Sequence, residues 1–150
     1  MEKTMSHDNI PQKNVTFVAV GDLDLPRTCA GQGGGDDFNW ALAEMAPGFA
    51  GADLLFGNRE WVVLPDSYPE DQINPKALVS RAEAAPALKH AGFDFLNLAA
   101  NHVLDAGTVG MFHTKQVLED LGIAHAGVGA TQQEARQMTM VERGGLRFGF

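Results

Sequence analysis

Three runs along this chain are apolar, rich in β-branched or aromatic residues, and stop abruptly in polar ones. Residues 15–20 run into Gly21-Asp22-Leu23-Asp24, residues 53–57 into Asn58-Arg59-Glu60, and residues 93–100 into Asn101-His102. Such runs predict strands, and their near-continuous apolarity predicts strands buried on both faces, as in a parallel sheet. Helical signals separate them. Asp36 and Asp37 predict a cap for a helix over residues 38–45. Ser80 predicts the start of a helix that reaches Ala91 and stops at Gly92, with Pro86 an irregularity, and a third helix over 108–121 ends at Gly122. In that third helix Met111, Val117, Leu118 and Leu121 share one face, as packing on a sheet requires. Thr131-Gln132-Gln133-Glu134 has capping-box spacing, which predicts a short helix before a strand near 138–142. Gly144-Gly145 predicts a hairpin turn into a further strand. Residues 61–76 hold three prolines and no clear period, the pattern of a surface loop. Strands alternating with helices specify an α/β sheet.

A chain of 150 residues with 45% hydrophobic content can bury a real core, and it divides into a disordered polar tail (1–14) and one domain or part of one (15–150). The net charge of -8 disfavours nucleic acid and anionic membrane surfaces as partners. An anionic substrate would then need metal ions or a local basic cluster such as Arg27 and Arg59. The single cysteine, Cys29, cannot close an internal disulfide and reads as a loop thiol. The start of the chain carries no apolar signal segment, and no run is long enough to span a bilayer, so the expected location is cytoplasmic. The glycine run 31–35 lacks the Lys-Ser/Thr ending of a phosphate loop and reads as a flexible connection. His7, His90, His113 and His125 read as structural.

Charge and turn chemistry single out the strand exits. Three adjacent parallel strands would bring Asp22, Glu60 and Asn101-His102 to the C-terminal edge of one sheet, where open α/β folds bind ligands. Carboxylates crowded there repel one another, and a divalent cation neutralises them. Carboxylate and amide oxygens with one imidazole suit manganese, magnesium, iron or zinc. Asp22 and Asp24 are spaced i, i+2 and would share a side if the strand persists, and Asn58 and Glu60 repeat the spacing. Trp61 and Tyr68 read as packing residues or as an apolar wall beside Glu60. Asp105 and Gly107 read as setters of the turn that presents His102, with Asp105 also placed to orient the imidazole. Taken alone, an Asn-His pair reads as a chain turn and a loop hydrogen bond sooner than as a site.

Four motifs in order, Val20-Gly21-Asp22, the stretch from Ala52 through Gly57-Asn58-Arg59-Glu60, Leu98 through Asn101-His102 to Gly107, and Gly122-Ile123-Ala124-His125-Ala126-Gly127-Val128-Gly129, resemble the CapA family. Those are poly-γ-glutamate capsule synthesis proteins, a branch of the calcineurin-like metallophosphoesterase superfamily. The resemblance covers residues 15–150. It implies a metallophosphatase-like sheet flanked by helices, the N-terminal part of a four-layer α/β/β/α sandwich, with two divalent ions at the strand edge. It implies ligand roles for Asp22, Glu60 and Asn101, and a phosphoryl-contacting role for His102. Three positions depart from the pattern. Asp24 stands where the superfamily has histidine and is either a ligand or a solvated turn carboxylate; Arg59 stands where an apolar residue is usual and either binds an anion or pairs with an acid; and Ala100 replaces the first Asn of Asn-Asn-His. Asn58 and Arg59 are thus the candidate substrate contacts. The family's domain continues past position 150 with histidines that complete its metal centre, so this stretch is expected to be the N-terminal portion of a longer protein and inactive alone. Two functions follow from the resemblance: metal-dependent hydrolysis of a phosphoester or related anionic group, or a non-catalytic assembly subunit that binds poly-γ-glutamate or other synthesis proteins. Some relatives act at the cell envelope.

Overall fold

The three apolar runs are neighbouring strands. The computed structural model describes residues 14–25 and 38–150. Arg27, Cys29, the glycine run, the Asp36-Asp37 cap, His7 and the polar tail up to residue 13 lie outside the described residues. Strands β1 (Phe17–Leu23), β2 (Leu54–Arg59), β3 (Val62–Val63), β4 (Val79–Ser80), β5 (Phe95–Asn97) and β6 (Ala124–Ala126) are followed by β7 (Met140–Arg143) and β8 (Leu146–Gly149). The central sheet has the order β1-β2-β5-β6 and every pair in it is parallel. The helices are α1 (Asn39–Ala43), α2 (Ala46–Phe49), α3 (Pro86–His90), α4 (Gly107–Asp120) and α5 (Gln132–Ala135). This is a mixed α/β fold with a parallel sheet flanked by helices, consistent with a metallophosphatase-like fold.

Alternation along the strands gives the sheet two unlike faces. Leu23, Leu55, Leu96 and Leu98 join Leu42 of α1, Leu88 of α3, and Met111 and Leu118 of α4 in the larger core. Full burial of each such side chain stabilises the fold by roughly 1.5–3 kcal/mol. Gly57 is required there by space: a Cβ would lie 2.5 Å from Leu23 Cδ1 and 2.8 Å from Phe93 Cε1. On the opposite face Leu54 and Phe95 pack with Val141, Phe148 and Phe150 from the β7–β8 hairpin. Phe150 stacks on Phe95 with ring centroids 4.0 Å apart. The hairpin is pinned by an ion pair between Arg143 and Asp94 and by Thr139 Oγ1 donating to the His125 carbonyl at 2.7 Å.

Several local expectations hold. α4 ends before Gly122, whose φ of 64° suits glycine. Thr131 caps α5 by accepting from the Glu134 amide at 3.2 Å. Gly144 and Gly145 both have positive φ, 58° and 80°, as a two-residue hairpin turn demands.

Others are corrected. The helix expected from Ser80 to Ala91 is a 3-10 turn at Ala82–Ala84 followed by α3, which starts at Pro86 because the first helical position needs no backbone donor. Ser80 instead belongs to β4. The helix expected over 38–45 is α1, shortened to Asn39–Ala43, and a separate helix, α2, follows it with Pro47 in its first turn. Residues 61–76 are not all surface loop. Trp61, Val62, Val63 and Leu64 are buried, β3 pairs in parallel with β4, and Gly110 lets α4 approach so closely that a Cβ there would sit 2.6 Å from Val62 Cγ1. Among the described residues no helix is long and apolar enough to cross a membrane.

A polar row at the rim of the sheet

At the C-terminal ends of the strands the aromatic face gives way to polar residues in register. Asp22 lies opposite Asn58, and Asn58 opposite Asn97, across β1, β2 and β5. A β-bulge makes this row. Ala19 pairs with Phe56 and Asp22 with Asn58, so β1 spends three steps where β2 spends two. Without that extra residue, alternation would send Asp22 to the helix-covered face and leave Gly21 in the row.

The side chains in the row satisfy one another. Asn58 Nδ2 donates to Asp22 Oδ1 at 2.7 Å and to Glu60 Oε2 at 3.3 Å, and Asn58 Oδ1 accepts from Asn97 Nδ2 at 2.5 Å. Asn97 Oδ1 in turn accepts from the Ala99 amide at 3.2 Å, which starts the turn toward Asn101. One amide NH2 therefore lies between two carboxylates. Its partial positive charge relieves the repulsion that the sequence assigns to a cation.

His102 stands beside this row in the turn after β5. Its Nδ1 is 2.8 Å from Asp105 Oδ2, which also accepts from the Leu78 amide at 2.7 Å. A carboxylate only accepts, so Nδ1 carries the proton and Nε2 is left free to face a ligand. The hydrogen bond to Asp105 raises the His102 pKa above its ordinary value of 6.5, and the negative charges of Asp105, Glu60 and Asp24 act in the same direction. Burial raises the Asp24 pKa, and the nearby His102 partly offsets it. Asp24 lies just past the end of β1, outside the hydrogen-bonded row, lining the same small cavity as Asp22 and close enough to His102 for their charges to interact. Asn101 is exposed in the turn, and no hydrogen bond among the described residues ties its side chain to the row.

Arg59 goes the other way. It is 2% exposed, opposite Leu23, with its guanidinium carbon 4.2 Å from the centroid of the Trp61 ring. Trp61 is itself 1% exposed and donates from Nε1 to Ser80 Oγ at 2.6 Å, so it is not a pocket wall beside Glu60. Neither Nε nor Nη2 of Arg59 has a hydrogen-bond partner. Burial lowers the Arg59 pKa to about 9, which leaves the group charged at neutral pH. Stacking on Trp61 offsets about 2 kcal/mol of a desolvation cost of several kcal/mol.

Asn97 is the site residue that the sequence reading passes over. It lies inside an apolar run, and its only signal is that it has the same strand parity as Phe95 while the row needs an amide there. As for metal, the oxygen donors of Asp22, Asn58, Glu60 and Asn97 with the free Nε2 of His102 suit a hard divalent ion. Among the described residues no three His, Cys, Asp or Glu side chains close into a ligating group. The carboxylates of Asp22 and Glu60 have the right chemistry for such an ion, but the described residues do not by themselves close a coordination sphere.

Comparison with known proteins places these motifs. The family model described as bacterial capsule synthesis protein PGA_cap matches residues 16–150. Two Sinorhizobium fredii proteins named only as uncharacterized proteins y4sH and y4uA are 34% and 33% identical over 131 residues, 85% of this chain and 27% of theirs. The capsule biosynthesis protein CapA of Bacillus anthracis is 26% identical over 137 residues, covering 90% of this chain and 33% of that protein. The chain thus spans about a third or less of the length of these relatives, and it belongs to the PGA_cap family of bacterial capsule synthesis proteins.

Proposed function

We propose that the intact protein is a metal-dependent hydrolase of a phosphoester or related anionic group, acting in the synthesis of poly-γ-glutamate, a capsule-type polymer. The observation that carries this reading is the convergence of Asp22, Asn58 and Glu60 at one strand edge, with the free Nε2 of His102 beside them. Asp22, Glu60 and Asn101 would hold two divalent ions, with Asp24 a further ligand. Those ions would supply Lewis acidity and an activated water.

The chain's own residues supply the rest. Asp105 fixes the imidazole of His102, and its hydrogen bond, helped by its negative charge, keeps the ring protonated to higher pH. A cationic His102 would then stabilise negative charge growing on a phosphoryl oxygen, or give a proton to the leaving group. Asn97 orients Asn58, and the Asn58 amide bridges the two carboxylates in the absence of an ion.

Turnover on a panel of phosphoesters and γ-glutamyl peptides, with and without added Mn2+, tests the proposal in the intact protein. Metal-dependent hydrolysis that falls by roughly 10²–10³-fold in His102→Ala is expected; hydrolysis untouched by that change would remove His102 from the mechanism. A second reading, a non-catalytic assembly subunit that binds the polymer or other synthesis proteins, draws on the Asn58 amide, which satisfies both carboxylates without an ion. Tight metal binding with no turnover across the whole panel would favour it.

A further inference from the structure

The polar row accounts for Asp22, Asn58, Glu60, Asn97 and His102, but it leaves the buried cation on the other face of β2 without a use. The two unpartnered nitrogens of Arg59, Nε and Nη2, are not an arbitrary pair. Their N–H bonds run parallel along one edge of the guanidinium, the edge that meets two oxygens of a carboxylate or phosphate at once. The group is also held in place before anything binds. Its guanidinium carbon lies over the Trp61 ring, and Trp61 is anchored by its hydrogen bond to Ser80. The neighbouring acids do not serve it: Asp22 and Glu60 share the Asn58 amide on the opposite face, and Asp105 is taken by His102 and the Leu78 amide. Arg59 is the last residue of β2, so its burial comes at the rim of the sheet, not between strands.

We propose that the free edge of Arg59 is a receptor for a small oxyanion, a carboxylate or phosphate group that seats two oxygens against Nε and Nη2. A guanidinium this deeply buried is costly without a counter-charge, and its two unfilled parallel donors can be satisfied together by the two oxygens of one anion. The site is separate from the polar row, so it stands or falls independently of the hydrolytic reading.

Thermal unfolding of the intact protein, with EDTA present and inorganic phosphate or acetate added, tests it. One of these anions should raise the Tm by about 1–2 °C at roughly ten times its dissociation constant. Arg59→Met should abolish that rise. Should Arg59→Met fail to fold, Arg59→Lys decides, because lysine keeps the charge but loses the two parallel donors, and at least a tenfold loss of anion affinity is expected. Glu60→Gln should keep the full shift. No anion-dependent shift in the wild-type protein, a shift that survives in Arg59→Met or at full affinity in Arg59→Lys, or one that disappears in Glu60→Gln, would overturn the proposal.

Discussion

Asn58 and Arg59 are consecutive residues of β2 that leave the sheet on opposite faces. Asn58 enters a row in which every amide and carboxylate has a partner, at the end of an aromatic surface. Arg59 enters a leucine-rich core with one aromatic ring beneath it and two donors unfilled. The difference teaches how a strand end is built for chemistry. Polar groups that satisfy one another hold their geometry at little cost, whereas a lone buried charge is retained against its cost.

The largest effect expected from this contrast is structural. Trp61→Ala removes the ring under Arg59 and the donor to Ser80, and should lower stability by about 3–5 kcal/mol, read by urea unfolding. A loss under about 1 kcal/mol would mean that the Arg59 side is not a packed core. The matching change in the row, Asn58→Ala, takes away a part-exposed amide, and should cost only about 1 kcal/mol. It leaves Asp22 and Glu60 facing each other, so added Mn2+ should recover more stability in this variant than in the wild type. Equal recovery would show that the two carboxylates do not share an ion.

The smallest effect is a titration. In metal-free protein His102 should titrate above 6.5, followed through its ring proton by NMR, and Asp105→Asn should bring it back toward 6.5. Because the folded pKa is raised, the stability gained from this pair is complete below about 6.5 and disappears as pH rises through the folded value. A His102 titration unchanged by Asp105→Asn would break the pairing that orients the imidazole.

Much of the rim was legible in the sequence, because apolar runs that stop in Asp, Asn and His place those residues at strand ends whatever the details of packing. The bulge in β1 was not legible: one extra residue between Ala19 and Asp22 leaves no mark in composition, yet it decides which face Asp22 joins. Asn97 was hidden by its apolar neighbours. Strands β3 and β4 are two residues each, too short for any period to show, so Val62 and Val63 read as loop although both are buried. The burial of Arg59 was hidden for another reason. Charged side chains are almost always exposed or paired, and the pattern of residues says nothing of a buried arginine with two unfilled donors.

We propose that the row at the end of the sheet contributes to a divalent metal site in the intact protein. Calorimetric titration of Mn2+ into the metal-stripped intact protein tests it most directly. Stoichiometric binding, weakened at least tenfold by Glu60→Gln and by Asp22→Asn but unaltered by Arg59→Lys, is the predicted result. Absence of stoichiometric binding, or binding indifferent to Asp22 and Glu60, would contradict it.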